Sequence, residues 1–279
     1  MQIESLEPFN GGPWVVLDWG VLRGFGYKAK APDSLVTVLV DVFGREASTA
    51  SRGHAGLKVA NTALAALSAP YPVVIAREWH SFSVDEAAPP APLEPHQVSD
   101  EECTRSVRSS LHAGAPAFLD DASVQPTRDA KDNWQLYVDE MRPALSSAES
   151  IAGVRRATQN ILEEPHELIE LLARELPDQI DLAWKEAIAK HPSGYPKFLF
   201  FGAILFYLSE FVSKGRERVD AMENDFDDIH YLVLAAVTGH LCTAEKSAGE
   251  GVAHLPDAVR HLFGDRVRVW TPDQWQAGA

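Results

Sequence analysis

Carboxylates recur in this 279-residue chain at points where a strand-like run gives way to a helix-like one. Asp18 ends the apolar run WVVLD (14–18), and Glu46 falls in the first turn or so after the Val-rich run LVTVLV (35–40). Asp228 closes the acidic knot ENDFDD (223–228), just ahead of IHYLVLAAVTG (229–239), and Glu245 follows HLCTA (240–244). Like charges a few ångströms apart cannot all stay ionised, so four such acids meeting at one point require a cation. Oxygen-only ligands suit Mg²⁺ or Mn²⁺, which keep positions open for water and for substrate phosphate. A cation held that way makes hydroxide available and stabilises an in-line displacement at phosphorus. The ordinary roles of the same residues are also on the page. Asp18 suits a helix cap, and Asp225, Asp227 and Asp228 suit the positive end of a helix dipole. Glu46 suits any helix surface, Glu245 the solvated turn AEKSAGEG, and Thr243 the interior of a strand.

The elements that must position these acids alternate at both ends of the chain. WVVLD, LVTVLV and YPVVIA (71–76) read as buried parallel strands, with a mostly helical stretch at 42–67 between the second and third. After 220 the pattern returns: a helix over 229–239, a strand over 240–244, a helix over 252–263 and a last strand RVRVW (266–270), with TPDQW behind it. Strand–helix–strand order implies crossovers and a parallel sheet. Residues 85–97 are Pro-rich and acidic, a linker or surface loop. Residues 99–220 read as successive helices, ending in the very apolar FLFFGAILFYLSEFV (198–212). The expectation is an α/β unit built from 1–84 and 220–279, interrupted by a large, mainly helical insertion over 85–219.

Composition narrows the functions. With 25 Lys and Arg against 40 Asp and Glu the net charge is −15, which argues against a general nucleic-acid or anionic-membrane surface. Two cysteines, Cys103 and Cys242, provide neither a disulfide framework nor a thiolate zinc site, so a reducing, cytoplasmic compartment is expected. The N-terminus lacks the basic and apolar regions of a signal peptide. The run at 198–208 is too short to span a bilayer and reads as a core helix or a homodimer seam. VLRGFGYKAK (21–30) lacks the lysine of a phosphate loop and the glycine spacing of a dinucleotide site, and no Gly-x-Ser-x-Gly elbow is present. Glu163-x-x-His166 has di-iron spacing, but Pro165 interrupts that face. A haloacid dehalogenase-type phosphatase needs a second Asp where Gly20 stands.

Five segments, in order, carry a family resemblance. VVLDWGVLRG resembles the first motif of PIN-domain nucleases, a buried strand ending in a metal-binding Asp, and DVFGREAST is similar to the second, where a helix offers a Glu. NDFDDIHYLVLAA resembles the third, an Asp leading the penultimate helix, LCTAEK the fourth, and RVRVWTPDQW the closing strand and tail. The resemblance covers about half of the chain and none of 85–220. It implies a PIN-like Rossmannoid three-layer α/β fold and Mg²⁺- or Mn²⁺-dependent phosphodiester hydrolysis, usually of RNA. On that match Asp18, Glu46, Asp228 and Glu245 are the catalytic acids, with Asp225 as a further ligand candidate and Thr243 in support. Asp228 is preferred to its neighbours because its distance from Glu245 fits the family spacing. The chain departs from the pattern at Trp19–Gly20, where a small polar pair is usual, and at Glu245, where the family has Asp.

Phosphate recognition relies on Lys and Arg. The basic stretches lie in the helical block: Arg155–Arg156, KGRER (214–218) with Arg216 and Arg218, and Lys197 beside Tyr195. Two readings stand for them: solvated helix ends, or a wall guiding single-stranded RNA toward the acids. The other expectation, of a different class, is a catalytically degenerate PIN-like domain that binds protein or RNA through its helices.

Overall fold

The fold is that of a computed structural model, which describes residues 12–25, 31–40, 73–76, 91–112, 145–176, 180–214, 223–246 and 254–278. β1 (Trp14–Leu17), α1 (Trp19–Phe25), β2 (Val36–Leu39) and β3 (Val73–Ile75) come first. Helices α2 (Glu101–His112), α3 (Ala148–Ala157), α4 (His166–Glu175), α5 (Leu182–Lys190), α6 (Pro196–Ser213) and α7 (Glu223–Thr238) follow. β4 (His240–Cys242), α8 (Leu255–Phe263), β5 (Arg268–Trp270) and α9 (Pro272–Ala277) complete the set. The predicted helix at 42–67, with Glu46, lies outside the described residues, as do Arg216 and Arg218.

The strands form one parallel sheet in the order β3-β2-β1-β4-β5, so the molecule is of the α/β class. The apolar runs explain why these segments pair. Every residue of β2 is buried, and a parallel sheet is stable only where both faces are covered. Val16, Val36, Val38 and Val74 turn toward the main core. Val15, Leu17, Thr37 and Leu39 are equally buried and alternate with them, as the two-residue period of a strand requires. On this second face the indole of Trp275 in α9 donates to Thr37 Oγ1 at 3.3 Å.

α7 and α6 form the body of the main core. α7 carries buried Ile229, Tyr231, Leu232, Val233 and Leu234, and it packs on β1 and β4. Gly239 turns the chain from α7 into β4 at φ 79°, a left-handed conformation that suits glycine. α6 lies against α7, and Tyr207 in its second half meets Asp228 near the start of α7, so the two helices run antiparallel. Among the described residues α6 is the helix long and apolar enough to cross a membrane, yet 78% of that stretch is buried inside the protein.

Helices α3 to α6 share this core with the sheet. The turn after α3 is the clasp. Asn160 N–H and Ile161 N–H donate to the carbonyls of His261 and Leu262 at 2.9 and 2.7 Å, filling acceptors that the end of α8 leaves open. Thr158 Oγ1 lies 3.1 Å from His261 Nε2, and Arg155 pairs with Glu210 of α6.

Candidate functional site

In a parallel sheet, ligands gather where the strand order reverses, beyond the carboxyl ends of the strands. Here the order reverses at β1, between β2 and β4. Leu17 and Cys242 are register partners that end β1 and β4, so the next residues, Asp18 and Thr243, stand side by side at the switch point. The backbone fixes the pair: Asp18 N–H donates to the Cys242 carbonyl at 3.0 Å, and Thr243 N–H to the Trp270 carbonyl at 3.2 Å.

The side chains link directly. Thr243 Oγ1 donates to Asp18 Oδ2 at 2.7 Å and accepts from Glu245 N–H at 3.0 Å. Asp18 Oδ1 accepts from Gly20 N–H at 3.0 Å, which makes Asp18 the cap of α1 as well. Asp18 is 6% exposed. Burial, above all, holds its carboxyl above the ordinary carboxylate range. The hydrogen bonds from Thr243, Gly20 and Ala244 pull it down, and the charge of Glu245 pushes it up. The thiol of Cys242 is pushed up by burial and by the charge of Asp18, so it is an inert core group.

Gly20, where the sequence departs from the PIN pattern, has a local reason. A Cβ at this position would stand 3.0 Å from Asp18 Oδ2, an oxygen already pinned by Thr243. Trp19 is 5% exposed, and its backbone N–H donates to Tyr231 Oη at 3.4 Å. That contact ties the middle of α7 to the chain just beyond β1.

The Glu245 side chain engages α8. Its Oε2 accepts from Leu255 N–H at 3.0 Å, at the first turn of α8, and lies 3.5 Å from His254 Nδ1. Its charge still acts on Asp18. Asp228, expected to join this pair, instead accepts from Tyr207 Oη of α6 at 3.2 Å. Asp227 stands four residues before Tyr231, on the stripe of α7 that reaches Trp19, and is 9% exposed. Asp225 stands on the first turn of α7, with its side chain outside the described set. Among the described residues no three His, Cys, Asp or Glu side chains gather in metal-binding proximity.

Lys197 does not stand with the acids. It opens α6, ten residues before Tyr207, and a helix rises about 1.5 Å per residue, so the separation is about 15 Å along the axis. Because α6 and α7 are antiparallel, this end of α6 lies with the strand-entry side of the sheet. Tyr207, Tyr231 and His254 escape the sequence reading, and Gly20 enters it only as a departure from a family pattern. Tyr231 carries a usable signal, its four-residue spacing from Asp227, whereas His254 acquires its role through a contact nine residues distant in sequence.

Carboxylate and hydroxyl oxygens are hard donors suited to Mg²⁺ or Mn²⁺. Asp18 retains acceptor capacity after its hydrogen bonds, since a carboxylate offers about four lone-pair sites. The donors that meet at the switch point, Asp18 and Thr243, are of this oxygen-only type. Comparison with protein-family models, with curated proteins and with solved structures finds no match.

Proposed function

We propose that the protein is a PIN-like, divalent-cation-dependent phosphodiesterase that cleaves single-stranded RNA. The observation that carries this reading is the chain Asp18–Thr243–Glu245 at the point where the strand order of a parallel sheet reverses. Asp18 and Glu245 would hold Mg²⁺ or Mn²⁺, with Asp227, Asp228 or Asp225 contributing from the start of α7 and Glu46 from beyond β2. The bound cation supplies activated water and offsets charge at the phosphorus.

The chain's own residues prepare that site. Thr243 and Gly20 hold the Asp18 carboxylate in one orientation. Burial keeps bulk water from competing at Asp18, and ionisation there is costly until a positive charge arrives. Tyr207 holds Asp228 on the α6 side of α7. Purified protein with Mn²⁺ is expected to cut unstructured RNA, and Asp18→Asn to reduce cleavage to background. Intact RNA across metals and sequences, or full activity in Asp18→Asn, contradicts the proposal.

A second reading has a specific observation behind it. Two of the proposed acids already have partners: Asp228 with Tyr207, and Glu245 with His254 and the amide of Leu255. A PIN-like domain without catalysis, binding RNA or protein through its helices, would look the same. Such a domain binds single-stranded RNA without cutting it, and gains no affinity from Mn²⁺.

A further inference from the structure

We propose that His261 makes the clasp between the helical block and α8 an acid-sensitive latch, closed by the neutral imidazole and loosened by the protonated one. The latch needs no bound cation, and its parts meet at one place. Asn160 and Ile161 N–H donate to the carbonyls of His261 and Leu262, and Thr158 Oγ1 lies 3.1 Å from His261 Nε2. Asn160 sits at φ 51°, a left-handed conformation that asparagine tolerates. The fit is close: a Cβ at Gly264 would stand 2.8 Å from Asn160 Oδ1. The hydrogen bonds also fix the tautomer of the ring. A hydroxyl has one hydrogen, and that of Thr158 goes to the carbonyls of Val154 at 3.0 Å and Arg155 at 3.2 Å. Its oxygen therefore accepts from Nε2–H of His261, so the neutral ring already makes this contact. A second proton, on Nδ1, adds charge and gains nothing from Thr158.

The surroundings disfavour that charge. Thr158 is fully buried, and the Phe206 ring of α6 packs on the imidazole with centroids 4.7 Å apart. Burial, above all, and then the Arg155 guanidinium hold the imidazole below its ordinary 6.5, while a bond to the Arg155 carbonyl pulls the other way. The nearby acids are engaged elsewhere. Glu210 of α6 pairs with Arg155 and Lys214, and Glu163 of the turn with Arg266. On α8 itself Asp257, one turn before His261, pairs with Arg260. Asp265, one turn after it, is exposed, as are Arg156 and Glu164 on the side of the turn. Because the folded chain binds this proton less readily than the unfolded one, the sign is fixed. The stability of the clasp is fully present above 6.5 and is lost as pH falls from there toward the lowered value.

The test is hydrogen exchange on the full chain at about pH 7.5 and about pH 5.5, read as protection relative to the unstructured chain. Protection of the Asn160 and Ile161 amides is expected to fall by about threefold to tenfold at the lower pH, tenfold being the limit for one proton. The amides of β2 are expected to keep theirs. In His261→Gln, which retains a donor for Thr158 but takes no proton, the two clasp amides are expected to be equally protected at both pH values. Two readouts need the wild type alone: this exchange, and the titration of the His261 ring followed by NMR, expected below 6.5. Unchanged protection of Asn160 and Ile161 in the wild type overturns the proposal, as does titration of His261 at or above 6.5. So does a loss shared equally by β2, because acid then acts on the whole fold, or the same loss in a folded His261→Gln.

Discussion

The two ends of the sheet are built on different principles. At the carboxyl end the ionisable groups are few, close and tied to one another: Asp18 is buried, and Thr243 bridges it to Glu245. At the amino end the cations are exposed and spread out. Lys190 ends α5 and His191 follows it, Arg266 precedes β5 and pairs with Glu163 at 2.9 Å, and Arg268 lies 4.2 Å over the Trp270 ring. Lys190, His191 and Arg266 line a pocket of about 420 Å³ beside Ala236–Gly239. The C-terminal ends of α5 and α7 meet there, and cations near open carbonyls offset the negative pole of a helix. Positive charge at this end thus has a structural purpose, while the buried acid at the other end has none that helix capping alone explains.

The largest expected effect comes from α6, which runs from one end to the other. Phe198 is 1% exposed, and Phe198→Ala is expected to cost about 3–5 kcal/mol by denaturant unfolding. If the two ends are held apart by this helix, Mn²⁺ affinity falls together with stability. Next is Thr243→Val, which keeps the shape and removes the hydroxyl. It removes the Thr243 donor from Asp18 Oδ2 and the Thr243 acceptor from Glu245 N–H, and is expected to cost about 1–3 kcal/mol. A loss no greater than that of an exposed Thr would show that the bridge contributes little.

The third prediction concerns pH. The Asp18 carboxyl is raised above its ordinary value of 3.8, so the fold holds that proton longer than the unfolded chain does. The stability it brings is fully present below 3.8 and is lost as pH rises through the raised value. Without metal, wild type is therefore expected to lose stability relative to Asp18→Asn as pH rises above 3.8, until the raised value is passed. A constant difference across that range contradicts a buried, raised carboxyl. The smallest effect belongs to the amino end. Lys190→Ala, at an exposed position, is expected to change stability by less than about 0.5 kcal/mol, with RNA cleavage unchanged.

The fold was legible where hydrophobic pattern decides it. WVVLD, LVTVLV, YPVVIA, HLCTA and RVRVW each contain a strand of the sheet. The runs at 198–212 and 229–239 lie almost wholly within α6 and α7. α7 nevertheless begins at Glu223, so the acidic knot is its first turns rather than a lead-in, because carboxylates are favourable at a helix start. The terminal TPDQW is not an extended tail: Thr271 caps α9 in a reciprocal bond with Gln274, a capping-box signature with Pro at the first turn.

Of the site, sequence order places Asp18 and Thr243 correctly at adjoining strand ends, because strand ends are where the apolar runs stop. It does not show which way a helical acid faces. Asp227 and Asp228 differ by one residue, about 100° of helix, and that rotation separates the stripe of Tyr231 from the partner Tyr207. Nor does it show that the basic residue Lys197 falls at the far end of α6, since that depends on how α6 and α7 pair.

The most direct measurement is a calorimetric titration of Mn²⁺ into wild type and Asp18→Asn at neutral pH. If Asp18 and Glu245 share one cation, wild type binds Mn²⁺ and Asp18→Asn binds it at least tenfold more weakly, about the loss of one charged ligand contact. Equal binding by the two proteins, or none by either, contradicts that claim.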